Sequence, residues 1–233
     1  MSTVTESATR ERADLRHASR VLAAVILPIG PAAVALLRYL LPYTTATDSR
    51  DAVARVEADQ VTQSAVVWLG FVACFALVPG VIFAGRAVGR AMPRLAAAAT
   101  VLLVVGYLSL PWIGATDAYL LLGIREGLPA DVLVSIYEGG VHPSTSVALA
   151  LFVLGHVLGT ILLGVAMLRG RVVPVWAAIA TIVSQPIHFV AAVIIPNHTL
   201  DLVGWGLNAV GFAALSLVIL RMNDDEWGPA PRR

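Results

Sequence analysis

Apolar residues run along this chain in six long blocks, separated by short polar or charged stretches. The blocks are Val21–Leu41, Ser64–Ala84, Leu95–Gly114, Ser146–Leu168, Val172–Ile195 and Leu200–Leu220. A bilayer core about 30 Å thick needs roughly 20 such residues in a helix. Backbone N–H and C=O groups in lipid have no water to bond, so each block must satisfy its own as a helix. The alternating apolar and polar pattern of a membrane barrel is absent. The pattern predicts an all-α, polytopic transmembrane bundle of about six spans. Residues 1–19 read as a disordered tail, 20–221 as one transmembrane domain and 222–233 as a second tail. Val21–Leu41 is too long for a secretory h-region, and no small-x-small cleavage site follows it.

Two connections are long enough for structure of their own. In Pro42–Gln63, Asp48 or Ser49 can cap a short helix whose Ala52, Val53 and Val56 share a face. Ala115–Thr145 holds two apolar clusters. Leu120, Leu121 and Ile124 form one; Leu133, Ile136 and Tyr137 form the other, which starts after Pro129 and is closed by Gly139–Gly140. Both clusters predict short interfacial helices on the bundle or in the headgroups.

Composition agrees with the pattern. The chain is 58% apolar and 13% charged, against about 25% charged in soluble domains. A net charge of +1 gives no electrostatic case for nucleic acid. The single cysteine, Cys74, excludes an internal disulfide. All sixteen basic residues are arginine, the composition of a GC-rich bacterial genome. Their placement orients the bundle. Twelve lie in the N-terminal segment, the second and fourth connections and the C-terminal end; the other side holds only Arg38, Arg50, Arg55 and Arg125. The positive-inside rule then predicts a multi-pass protein of the cell membrane with both termini cytoplasmic. Arg38, in the last turn of the first span, is expected to snorkel to the outer headgroups.

Polar side chains at membrane depth are the informative residues, because hydrocarbon penalises them. The fourth span carries His156 and Thr160 on one face, with Gly155 and Gly159 as GxxxG on the adjoining one. The fifth carries Thr181, Ser184, Gln185 and His188 along a stripe interrupted by Pro186, which frees the carbonyl of Ile182 and predicts a kink. The sixth carries Asn208, with Asp201 and Trp205 on its face. A short turn makes the fourth and fifth spans antiparallel neighbours, and the depths of His156 and His188 differ by only about 5 Å by helix rise. The two rings are expected to face the interior near each other and near Asn208. His142, His198 and Asp201 form a candidate outer rim.

Three readings of this cluster are open: interhelical glue, a ligand or ion pocket opening outward, and a metal or haem site. Two histidines under-fill a zinc site, and the paired histidines of haem-carrying helices are missing. No metal, cofactor or catalytic residue is therefore assigned. GxSxG, HExxH, the P-loop and paired cysteines are all absent. The expected role is non-enzymatic, structural or regulatory; the alternative is a small-molecule or ion binder or transporter using spans four to six. The lipid bilayer is the expected partner, joined under the alternative reading by an unidentified small ligand, and the glycine faces, including Gly204 and Gly211, are read as internal packing in preference to a homodimer.

The run GHVLGTILLGVAMLRGRVVPVWAA, Gly155–Ala178, resembles one in small six-span membrane proteins of high-GC bacteria, of the domain-of-unknown-function type. The LVPG turn, Leu77–Gly80, and the stretch before the second span add to the likeness. Arg169–Gly170–Arg171 with Pro174 and Trp176 is the most distinctive part. The resemblance implies the fold and a membrane location, and it carries over no activity.

Overall fold

The computed structural model describes residues 14–138 and 142–228. Ten α-helices are present among them, with no strand: α1 (Arg16–Leu40), α2 (Ser49–Ala58), α3 (Gln60–Gly89), α4 (Pro93–Leu108), α5 (Leu110–Arg125), α6 (Ala130–Tyr137), α7 (Pro143–Arg169), α8 (Val175–Phe189), α9 (His198–Arg221) and α10 (Asp224–Trp227). A single π-helical turn, Val190–Ile194, extends α8. Six helical stretches are long and apolar enough to cross a membrane: Arg16–Leu40, Gln60–Gly89, Pro93–Arg125, Pro143–Arg169, Val175–Ile194 and His198–Arg221. Large apolar side chains such as Trp68, Phe71 and Phe75 remain exposed along α3, the surface that lipid would cover. The protein is a multi-pass helical membrane protein.

The third span departs from its expected bounds. Gly114 is not its end: α4 and α5 run on to Arg125, broken only at Ser109. Pro111 explains the break. It lies in the first turn of α5, where its missing N–H removes no helical bond. Leu120, Leu121 and Ile124 thus belong to this long span and not to a separate interfacial helix. Asp117, which makes the segment look like loop in sequence, is satisfied inside it. Gln63 Nε2 donates to its Oδ1 at 2.8 Å, and the Tyr43 hydroxyl donates to the same oxygen. Burial first, and then the Asp117 charge, push the Tyr43 phenol above its usual range. At the end of α5, Gly127 adopts φ +69. That left-handed residue lets Leu128 N bond Gly123 O at 2.9 Å and closes the helix.

The other two expected short helices are present. Asp48 caps α2 by accepting from Arg50 N, and Ala52, Val53 and Val56 are buried beneath it. Pro129 precedes α6, whose Leu133 packs with Val53, Val56 and Leu120 in a small second core. Both helices therefore lie on the bundle. The proposed stop at Gly139–Gly140 lies outside the described residues. The face carrying α2 and α6 is called the loop-rich face below.

The opposite face gathers both ends of the chain. Helix α1 begins at Arg16, inside the segment read as tail, and Arg16 pairs with Asp225 at 2.5 Å. Arg16 also draws the exposed Asp14 carboxyl down to about 2. The segment after Arg221 is likewise no free tail up to Gly228. Helix α10 opens with a capping box between Asn223 and Glu226. Its Trp227 is buried, donates to Ser19 Oγ at 2.8 Å and lies 4.5 Å beneath the Arg86 guanidinium. Residues 1–13 and 229–233, where the rest of both expected tails falls, lie outside the described residues.

Candidate intramembrane polar site

Small residues set the helix register around the polar cluster. A Cβ on Gly155 would lie 2.5 Å from Leu102 O, and one on Gly106 would lie 3.0 Å from His156 N. The GxxxG face of α7 thus packs on α4 within the same chain. A Cβ on Gly164 would meet the Ile182 amide at 3.0 Å, and one on Gly204 would meet His188 N at 2.8 Å. Glycine has no Cβ, so these backbones come close enough for α7, α8 and α9 to share one polar interior. Counting along the antiparallel pairs, His156 and His188 lie at one depth. Thr160, Gln185 and Asn208 lie about a turn deeper, away from the loop-rich face.

The part of the shallower tier around Asp201 is fully connected. His188 Nδ1 meets Asp201 Oδ1 at 2.5 Å, and Arg38 Nε donates to Asp201 Oδ2 at 2.6 Å. Asp201 is 1% exposed. Its two oxygens face a histidine and an arginine from different spans, which is how a buried carboxylate is made tolerable. Arg38 is therefore turned inward onto Asp201, and its expected snorkelling to the headgroups is corrected. A carboxylate in the first turn of α9 lies close enough to outcompete the headgroups for the guanidinium. His198 Nδ1 donates to Arg38 O at 2.8 Å, and Thr45 Oγ1 donates to Ala192 O in the π turn. These contacts close a narrow crevice lined by Arg38, Thr44, Thr45, Asn197, His198 and Asp201. The crevice is too constricted for a water-sized sphere.

The two histidine rings lie 5.4 Å apart between centroids. Trp205 packs 5.7 Å from His156 and 5.3 Å from His188, and Phe152 stacks on His156 at 4.2 Å. His156 Nδ1 lies 2.6 Å from Phe152 O. A carbonyl only accepts, so this nitrogen carries a proton. In the neutral ring Nε2 is then a bare acceptor, and it has no partner within the protein.

The deeper tier is just as buried and is not connected. Both amide atoms of Gln185, both of Asn208 and Trp205 Nε1 have no hydrogen-bond partner in the protein, while Thr160 Oγ1 and the Tyr107 hydroxyl have only each other within reach. Each of these side chains is at most 1% exposed. Thr181 and Ser184 stand apart: their hydroxyls bond back to Ala177 O and Thr181 O of their own helix. Native proteins pair the large majority of buried polar atoms, so a concentration of unpaired ones needs a reason.

The outer-rim residues divide. Asp201 and His198 border the crevice, whereas His142 is exposed, caps α7 and bonds Ser144. Sequence reasoning missed Arg38, Phe152 and Tyr107 as members of the site. Arg38 carried a signal: an arginine ending one span and an aspartate opening another stand at the same membrane depth. Among the described residues, no three His, Cys, Asp or Glu side chains form a set that could hold a metal. His188 and Asp201 are already engaged with each other. No family model, curated protein or solved structure matches the chain.

Proposed function

We propose that this membrane protein binds a small, uncharged, hydrogen-bonding solute between α4, α7, α8 and α9 and passes it across the bilayer, without chemistry on it. The observation that carries this reading is the deeper tier. With Trp205 and His156 just above it, the tier offers donors from Gln185, Asn208 and Trp205 and acceptors from Gln185, Asn208 and His156, with no formal charge in the neutral tautomer. A mixed set without charge suits a ligand that both gives and takes hydrogen bonds, such as an amide, a urea or a polyol. Closed packing over the tier corresponds to an occluded conformation, and the Arg38–His198 crevice marks the side from which a solute would enter. The arginine distribution supports cytoplasmic termini in the cell membrane. The loop-rich face is then external, and Arg16, Arg20 and Trp227 tie the two ends together inside.

The test is ligand-induced stabilisation of the purified protein in nanodiscs. Neutral amides, ureas and polyols are compared with carboxylates and ammonium ions. We expect a melting shift with a neutral member, lost in Gln185→Leu and Asn208→Leu, and flux of that solute in proteoliposomes. A second reading is structural or regulatory, and the bonded, tightly closed shallower tier favours it. A panel that shifts nothing, with no flux, would decide for that second reading.

A further inference from the structure

The shallower tier has features that a solute site alone does not need. It places a carboxylate, a histidine and an arginine in one bonded chain within membrane spans, and intramembrane ionisable chains mark ion pathways and proton relays. It is also continuous from the crevice inward: Arg38 and Asp201 border the crevice, Asp201 bonds His188, and the His188 ring packs against that of His156. We propose that His188 and His156, backed by Asp201, form a proton-binding site that takes up one proton from the loop-rich face. This rests on the solute-passing reading only in making the proton the coupling ion of the same site.

Three features of the geometry support it. Asp201 Oδ1 fixes the His188 ring through Nδ1 and leaves Nε2 as the nitrogen that takes up the proton, with the carboxylate balancing the imidazolium that forms. His156 holds its own Nδ1 proton against Phe152 O, so its Nε2 is a second acceptor with no competing protein partner. Two imidazolium rings 5.4 Å apart repel, so the pair holds one proton and not two. The step forms one N–H bond and breaks one O–H bond of hydronium on the external side. No other bond changes.

Charged and titratable groups from every packed element enter this account. Helix α1 supplies Arg38, whose positive charge opposes a second proton. Helix α9 supplies Asp201 and His198; α4 supplies the Tyr107 hydroxyl, and α7 and α8 supply the histidines. On the far side of Arg38, Asp117 of α5 and Tyr43 also lie within its field. Asp201 is the one acidic group bonded to either ring among the described residues.

The full chain in nanodiscs, without any solute, is taken from pH 8 to about pH 5, the range in which histidine titrates, and the protons bound are counted with a pH indicator. His17, His142 and His198 are present in every variant. We expect wild type to bind one proton more than the His156→Gln, His188→Gln double variant. Asp201→Asn should also lose that proton, while His156→Gln alone keeps it on His188. A difference of zero or of two would overturn the proposal. Because a variant can misfold, ring ¹⁵N shifts of the wild-type histidines are followed over the same range. Coupled changes at His156 and His188 support the proposal, and two unresponsive rings refute it. A failed solute panel with a one-proton difference would sink the transport reading alone; a zero difference would sink this inference alone, whatever the panel shows.

Discussion

The two tiers of polar side chains, one turn apart in the same helix bundle, solve the problem of burial in opposite ways. Around Asp201 each carboxylate oxygen has a partner, from Arg38 and from His188. Around Gln185 and Asn208, four amide atoms have none in the protein. Asp201 is as buried as Gln185 and Asn208, so burial alone does not separate them. What separates them is the cost of error. An unpaired charge cannot persist in a low-dielectric interior, whereas an unpaired amide costs little enough to be retained for a purpose. The shallower tier holds spans together across long sequence separations, and the deeper tier keeps its hydrogen bonds for something else.

The largest effect is expected where that bonding is broken. Asp201→Ala leaves Arg38 and His188 facing each other without the carboxylate, and should destabilise the bundle by about 3–5 kcal/mol. Thermal or SDS denaturation in detergent reads the loss. A change within error would mean that the shallower tier carries no stability. Next comes the packing that positions both tiers. Gly155→Ala puts a methyl 2.5 Å from Leu102 O, and prying α7 from α4 should cost about 1–3 kcal/mol. The same denaturation assay, together with monomer mass, checks that this glycine face is internal; an unchanged melt with a halved mass would assign it to a dimer.

A smaller effect is expected outside both tiers. Asp59 accepts from Thr62 N at 3.0 Å and caps α3, and the Thr62 side chain first, then its backbone amide, hold the Asp59 carboxyl below the usual carboxylate value. A lowered folded value means that the cap stabilises above the unfolded value and is lost as pH falls through the lowered one. Asp59→Ala should therefore weaken the protein slightly at neutral pH and no further at acid pH. Amide exchange at Thr62 would show it, and equal protection in both proteins at neutral pH would refute the cap.

Much of the fold was legible because lipid imposes a length and a composition on every span. The six blocks, the helix after Asp48 and the helix after Pro129 all follow from that rule and from capping. The end of the third span did not, because Asp117 looks like loop until Tyr43 and Gln63 are seen around the carboxylate. In the site, the closeness of His156 and His188 follows from a short turn and two helix rises. The role of Arg38 does not. Its partner is 163 residues away, and a single sequence gives no contact between first and last spans. Tyr107 and Phe152 escaped for a plainer reason: an aromatic ring in an apolar block reads as core.

The smallest stability effect is expected in the deeper tier, and it tests the central claim most directly. The measurement is the melting temperature, in detergent and without added solute, of the Gln185→Leu, Asn208→Leu double variant against wild type. These side chains have no protein hydrogen bonds to lose, and removing buried unpaired amides relieves their desolvation. The account predicts a melting temperature equal to or above that of wild type. If the residues were interhelical glue, each lost bond would cost on the order of 0.6 kcal/mol. A clear fall in melting temperature would contradict the account.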